Sequence, residues 1–197
     1  MLLIAAGYLM GSVPVGILVG RARGFDPRAV GSGNIGMTNV ARAGGGGAAA
    51  LTFAGDLLKG LVPVLIARLA GCSAAGLAAV GMAAFVGSIA SVFMGFGGGR
   101  GVSAALGVWL GLAPAVIALD GLVFVVIIAG TRIVSLASIG AAIALVPIAA
   151  VMHVPRPYLM IAIAMSALVL LRHRENIRRL IAGEEPKFGA PKPSRLG

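Results

Sequence analysis

Charge is scarce in these 197 residues: 6 acidic and 16 basic side chains, so that Asp, Glu, Lys and Arg form 11% of the chain, about half the usual share. A soluble domain of this length needs far more polar surface. Disorder is excluded as well, because disordered chains are poor in apolar residues, whereas 59% of this one is apolar and 31 further residues are Gly. Cys72 is the single cysteine, which rules out a disulfide scaffold. The two histidines and six carboxylates are scattered without ligand spacing, so no metal is expected, and no cofactor is called for. A net charge of +10 on a soluble protein would suggest nucleic acid. On so apolar a chain it points to a polytopic membrane protein with basic residues on one side, and not to a nucleic-acid partner.

A helix rises about 1.5 Å per residue, so crossing the hydrocarbon takes roughly 20 apolar residues. Residues 1–20 carry no charge and end at Arg21 and Arg23. They read as a first membrane helix with Pro14 inside it, rather than as a cleaved signal peptide. Further spans are expected over 45–70, 74–96, 134–152 and 158–171. Two shorter helices fit within 101–131, meeting near 114–120. This reading gives an all-α bundle of seven transmembrane helices, over residues 1–180, with a basic tail over 181–197. One side of it receives Arg21, Arg23, Arg28, Arg42, Arg100, Arg132, Arg172, Arg174, Arg178, Arg179, Lys187, Lys192 and Arg195, which is 13 of the 16 basic residues. The other receives Arg68 and Arg156, and Lys59 lies within a span. The asymmetry places the N-terminus outside and the C-terminus in the cytoplasm.

The basic side also collects the unusual sequence: Gly31-Ser32-Gly33-Asn34-Ile35-Gly36-Met37-Thr38-Asn39, then Gly97-Gly98-Gly99-Arg100-Gly101, then Arg132 to Ser138, and Arg172-His173-Arg174-Glu175-Asn176. Gly permits close backbone approach and positive φ, amides before a helix bind anions, and Arg adds bidentate phosphate geometry. Four segments thus offer phosphate chemistry on one face. Each has a plainer reading. Glycines serve helix packing, Ser135 and Ser138 cap a helix or bond to its backbone, and Arg21, Arg23, Arg178 and Arg179 are topology signals. The GxGxxG spacing of residues 31–36 lacks the strand that a dinucleotide fold requires. Asp56 and Lys59, at i and i+3 inside a span, form either a structural pair or an edge of the site.

In this order the motifs resemble the bacterial acyl-phosphate-dependent glycerol-3-phosphate acyltransferases. The resemblance runs through residues 11–16 and 31–42, Asp56-Leu57-Leu58-Lys59-Gly60, Gly98 to Val102, Ser135-Leu136-Ala137-Ser138, residues 172–180 and Gly183-Glu184-Glu185-Pro186. It implies an inner-membrane enzyme with seven spans and a cytoplasmic active site. Such an enzyme moves an acyl group from acyl phosphate to the 1-hydroxyl of glycerol 3-phosphate, giving lysophosphatidic acid for phospholipid synthesis. It further implies that Ser32, Arg42, Arg100, Ser138, His173 and Asn176 are catalytic. Gly31, Gly33, Asn34, Gly36, Thr38, Asn39, Lys59, Gly98, Gly99, Gly101 and Ser135 are implied to hold the substrate phosphates. Three positions depart from the family pattern: Arg100 replaces Lys, Ser88 replaces His, and Met37 replaces Ala.

The chemistry of the residues agrees. Acyl phosphate already carries a leaving group, so no enzyme nucleophile is required, and Cys72 lies away from the arginine segments. The protein's contribution is positioning and charge stabilisation, with the proton taken either by His173 or by a substrate phosphate oxygen. The expected partners are the two substrates, membrane lipid and an upstream enzyme that forms acyl phosphate. Two other readings compete: a catalytically weakened relative that binds phosphate esters or anionic lipid, and a small phosphate-ester transporter, which would need more polar residues within its spans.

Overall fold

The computed structural model of the chain describes residues 1–189, so Lys192 and Arg195 lie outside the described residues. Secondary structure is dominated by helices: α1 (Leu2–Gly11), α2 (Val15–Ala22), α3 (Met37–Leu69), α4 (Ala74–Ile89), α5 (Val102–Leu112), α6 (Pro114–Thr131), α7 (Val134–Val151), α8 (Arg156–Arg172) and α9 (Arg174–Ile181). Three of them, α3, α6 and α7, are long and apolar enough to cross a membrane alone. The count becomes five if α1 with α2 and α8 with α9 are each one bent span. The apolar helices α4 and α5 are shorter, at 16 and 11 residues.

The first expected span is therefore broken. Pro14 has no N–H to donate, and α1 and α2 meet there at 42°. A break frees carbonyls that water cannot reach inside an apolar bundle. Ser91 Oγ donates to the Ser12 carbonyl at 2.5 Å, and Lys59 Nζ donates to that of Val13 at 3.1 Å. The same ammonium pairs with Asp56 at 2.7 Å. The i, i+3 pair thus locks the break, which is why two charges are tolerated on α3.

Three boundaries differ from the sequence reading. Helix α3 begins at Met37 rather than near 45, because Gly45 absorbs a non-helical bend (φ 79°) and the helix resumes on either side of it. Helix α4 stops at Ile89, and residues 90–101 form a turn closed by Ser91 and Gly97, with Gly95 left-handed. The break in 101–131 falls at Ala113, before Pro114, so Asp120 sits inside α6 and is buried.

Helix α1 packs on α4, α3 on α5, and α6 on α7, which also contacts α8. The α3–α5 crossing is set by reciprocal glycines. A Cβ on Gly60 would strike the Ala104 carbonyl of α5, and one on Gly107 would strike the Leu57 carbonyl of α3. Small residues at such a crossing allow the close backbone contact through which dispersion stabilises helix pairs in lipid. Phe85, Val108, Trp109, Met165 and Val64 fill the core around it.

The Gly107→Leu variant forces these backbones apart and is expected to cost at least about 1–3 kcal/mol. Its thermal midpoint in detergent falls several degrees below that of the parent. Gly130→Leu, at a site where a Cβ meets nothing within 4 Å, leaves the midpoint nearly unchanged.

Candidate functional site

Helices α3, α5 and α7 all start at the end of the bundle where the arginines gather, and none of their N-caps (Gly36, Gly101, Ile133) provides a side-chain hydrogen bond. At the opposite end, α4 is capped by Ser73, while α6 and α8 carry proline in the first turn. Uncapped first-turn amides carry partial positive charge and attract anions. All three open onto one cavity of about 1490 Å³.

Asn39 builds the loop before α3. Its Nδ2 donates to the carbonyls of Pro27, Val30 and Asn34 at 2.7–2.9 Å, and its Oδ1 accepts from the Ser32 amide at 3.1 Å. With every side-chain polar atom engaged, Asn39 shapes the loop from the cavity wall. Asn34 Oδ1 accepts from the Gly36 amide at 2.8 Å. Ser32, Thr38 and Arg42 then line the cavity.

The second loop is held from outside. Arg172 donates from Nε to the Gly99 carbonyl at 3.1 Å and from Nη2 to that of Gly98 at 2.7 Å. The Gly99 amide donates to the Ser88 carbonyl at 3.1 Å, and the Ser88 hydroxyl donates to the Phe85 carbonyl of its own helix at 2.6 Å. Gly101 is left-handed (φ 82°) and lies so near the Phe85 ring that a Cβ would stand 2.5 Å from it. These contacts bring Arg100 to the cavity wall.

Residues 183–189 return over the mouth. Glu185 accepts from Ser135 Oγ, Asn176 Nδ2 and Arg179 Nε, each at 2.6 Å, and the Phe188 amide donates to the Arg132 carbonyl. Burial raises the Glu185 pKa, but the three hydrogen bonds outweigh it and hold the carboxyl below its usual range. Arg179 is thus part of the cavity wall rather than only a topology signal, because the bend between α8 and α9 turns it inward. Glu185 and Arg172 are the residues that sequence reasoning missed as parts of the site. Their signal was present, since both lie in segments that carry the family resemblance. A carboxylate among arginines and an arginine that binds carbonyls have no recognisable spacing.

Arg42 and Arg100 form no ion pair among the described residues. Burial lowers the Arg100 pKa, Glu185 opposes this, and Arg179, Arg42 and Arg172 lower it further. Four guanidinium groups within one another's field favour a polyanionic ligand. Ser138 lines the same wall while donating to the Val134 carbonyl at 2.9 Å. His173 is 1% exposed and bonds through Nδ1 to the Val169 carbonyl at 2.8 Å. A carbonyl only accepts, so Nδ1 carries the proton and Nε2 is the acceptor in the neutral ring. Gly31, Asn34, Gly36, Lys59, Gly99, Gly101, Ser135 and Asn176 also reach the cavity. Gly33 and Gly98 are not among the lining residues, and Gly98 packs where a Cβ would collide with the Ser88 and Ile89 backbone. Away from the arginines the cavity becomes an apolar arm lined by Phe53, Trp109, Ile117, Phe124, Leu145 and Met165.

A family model described as "Glycerol-3-phosphate acyltransferase" matches residues 1–183. A glycerol-3-phosphate acyltransferase of Geobacter sulfurreducens is 47% identical over 191 residues, 96% of this chain and 98% of its own. That of Rubrobacter xylanophilus is 50% identical over 190 residues, 95% and 94% of the two chains. The fold matches solved structures of PlsY (YgiH), an integral membrane glycerol 3-phosphate acyltransferase. Its glycerol 3-phosphate form gives a TM-score of 0.92 at 43% identity, covering 95% of this chain and 94% of that one. Its lysophosphatidic acid form gives 0.89 at 42% identity, with the same coverage of 95% and 94%.

The buried histidine sets a pH dependence of stability. Burial, helped by Arg100 and opposed by the Val169 carbonyl and Glu185, pushes the His173 pKa from 6.5 down to about 4. The unfolded chain takes up its proton near 6.5 and the folded chain only near 4, so stability falls as pH falls through that window. The thermal midpoint is expected to decline across it, and His173→Asn gives a shallower decline.

Proposed function

The chain belongs to the glycerol-3-phosphate acyltransferase family, and from that premise we propose that it moves a fatty acyl group from acyl phosphate to the 1-hydroxyl of glycerol 3-phosphate, releasing lysophosphatidic acid and phosphate. It is an acyltransferase with the fold of an integral membrane protein. One observation carries the donor assignment: a single cavity joins a cluster of arginines and uncapped helix starts to an apolar arm. Acyl phosphate is itself half ionic and half lipid. The volume of about 1490 Å³ exceeds the roughly 300–1,000 Å³ of ordinary small-molecule sites, as a lipid chain requires.

The proposed topology has seven spans, counting α1 with α2 as one and α4 and α5 as short spans completed by their connecting segments. The N-terminus is outside, and the basic residues favour a cavity mouth and C-terminus on the cytoplasmic face of the inner membrane. An acyl-phosphate-forming enzyme would deliver donor at that face. Helices α3 and α6 both line the cavity without packing extensively on each other, leaving a flank through which an acyl chain can lie against lipid.

In the proposed reaction Arg42 and Arg100, with the α3 and α5 amides, hold the two phosphates and bring the 1-hydroxyl to the acyl carbonyl carbon. The hydroxyl oxygen bonds to that carbon, the carbon–oxygen bond to phosphate breaks, and the arginines stabilise the charge on the departing phosphate. The hydroxyl proton needs an acceptor. His173, with its pKa near 4, is a weaker base than a phosphate oxygen, whose second pKa is about 6. The proton therefore passes to substrate phosphate, and His173, a neutral ring held by the Val169 carbonyl at the cavity wall, positions the substrate without taking its proton.

Purified protein is expected to form lysophosphatidic acid from acyl phosphate and glycerol 3-phosphate, and not from acyl-CoA or acyl carrier protein thioesters. Absence of product from acyl phosphate would refute the donor assignment. Arg42→Ala and Arg100→Ala each lose on the order of 10²–10³ in kcat/KM, while Arg100→Lys retains most activity. The rate falls on the acidic side with an apparent pKa of about 6, that of phosphate. The limb stays in place in a His173→Gln variant whose kcat is reduced; if the substitution abolishes or moves the limb, the histidine is the base.

A further inference from the structure

The segment joining α4 to α5 is unlike the other connections at the arginine end. No charge occurs between Arg68 and Arg100, whereas the loops before α3 and α7 and the bend between α8 and α9 all carry arginine. In place of charge this segment exposes large apolar side chains: Val92 is 41% exposed, Phe93 61% and Phe96 69%. Phe96 takes a left-handed backbone (φ 62°), which is costly for a bulky residue. An aromatic ring is thus kept where glycine would be relaxed.

Hydrogen bonds fix how deep the segment lies. Tyr8 Oη donates to the Ala90 carbonyl at 2.8 Å, and Ser91 Oγ to that of Ser12 at 2.5 Å. The Phe96 amide donates to the Ser91 carbonyl and the Ser91 amide to that of Gly97, each at 2.8 Å. The turn therefore folds straight back onto the pinned serine. Ser12 precedes Arg21, the first basic residue of the chain, by nine residues. That is about 13 Å along a helix, and less in depth because α2 is bent 42° from α1. The far end of the segment also lies inside the basic belt: Ala104 of α5 opposes Gly60, which is fifteen residues, roughly 22 Å, along α3 from the Gly45 bend.

The backbone limits the depth from the other direction, because irregular chain is unstable in hydrocarbon unless its polar groups are bonded within the protein. The carbonyls at the base of the turn meet this demand. Those of Ala90, Ser91 and Gly97 accept from Tyr8, Phe96 and Ser91, and Arg172 covers those of Gly98 and Gly99. The tip over residues 92–96 is then the part that stands at the wet boundary. Apolar groups of surface-lying elements sink roughly 5–10 Å into that boundary, which matches the depth set by Ser12.

We infer that the turn over residues 90–97 is a lipid-contact surface, with Val92, Phe93 and Phe96 inserted where headgroups of the cytoplasmic leaflet meet their acyl chains. The inference rests on the proposed topology, which puts Arg21 and Arg23 at the cytoplasmic boundary of the membrane. The connection then occupies its leaflet instead of entering the cytosol, so that helices of 16 and 11 residues suffice. Arg100 follows Gly97 by three residues, which holds this arginine close to the depth at which a lipid's phosphate lies.

The test reads position without any reaction. The single cysteine is replaced by Cys72→Ser, and nitroxide labels are attached at Phe93→Cys or Phe96→Cys, both exposed positions. Leu122→Cys on α6 and Arg174→Cys on α9, each at an exposed side chain, serve as lipid and water references. The full-length protein is placed in vesicles of phosphatidylethanolamine and phosphatidylglycerol, and collisions with oxygen are compared with those of a water-soluble nickel chelate. The oxygen-to-chelate ratio at residues 93 and 96 is expected to exceed that at residue 174 by on the order of ten-fold, because the hydrated chelate is excluded from the chains, and to stay below that at residue 122. A ratio equal to that at residue 174 would show the turn in water and overturn the inference. Shielding from both reagents would show it covered by protein and overturn it too. If the labels at residues 122 and 174 do not differ, the proposed membrane placement fails, and the depth of the turn with it.

Discussion

Three helices that begin uncapped at the same end of an apolar bundle impose the central constraint on this molecule. Backbone amides left free in low dielectric have to meet an anion, a side chain or water. At the opposite end Ser73 caps α4 and Pro114 and Pro157 stand in the first turns of α6 and α8, while α1 starts uncapped at the exposed Met1. At the cavity the chain uses Gly36, Gly101 and Ile133, which leave the amides available. The surrounding contacts serve these amides. Asn39 bends the preceding chain so that α3 starts at the cavity, and Arg172 ties down the carbonyls of Gly98 and Gly99 ahead of α5.

The same constraint explains the treatment of charge. Arginines placed around uncapped helix starts repel one another and the helix dipoles, and one carboxylate offsets part of that repulsion. Glu185 ties Ser135, Asn176 and Arg179 together. Among the described residues Arg42 and Arg100 are left without an ion pair, available to substrate. Deeper in the bundle Lys59 and Asp56 neutralise each other and repair the break at Pro14. Positive charge is therefore kept open at the site end and neutralised in the interior.

His173 follows from this environment. Its ring is held by the Val169 carbonyl and stands within the field of Arg100, both buried and close to positive charge. Such a histidine stays neutral near pH 7, with Nε2 as the ring's acceptor atom. In the proposed reaction catalysis then depends on holding two phosphates and a hydroxyl in register, with the substrate supplying both leaving group and base. That division of labour suits a membrane enzyme with few polar residues.

Much of this was legible in the sequence. The scarcity of charge implied a helical membrane protein, because apolar segments near 20 residues have few other stable uses. The ordered Gly, Ser and Arg motifs identified the family, and the i, i+3 spacing of Asp56 and Lys59 allowed for their pairing. Helix boundaries were less legible: Gly45 bends α3 without ending it, and the turn over 90–101 is entered from a stretch as apolar as the helix before it. The tertiary structure alone decided which polar atoms are free. Sequence cannot tell that Asn39 is saturated by three carbonyls, that Glu185 returns to bind residues 50 and 9 positions away, or that Ser91 donates back to Ser12, 79 positions away. Local spacing fixes only what meets within a helical turn. Whether a polar group is satisfied depends on helices brought together by packing, and on that depends which residues remain to bind a ligand.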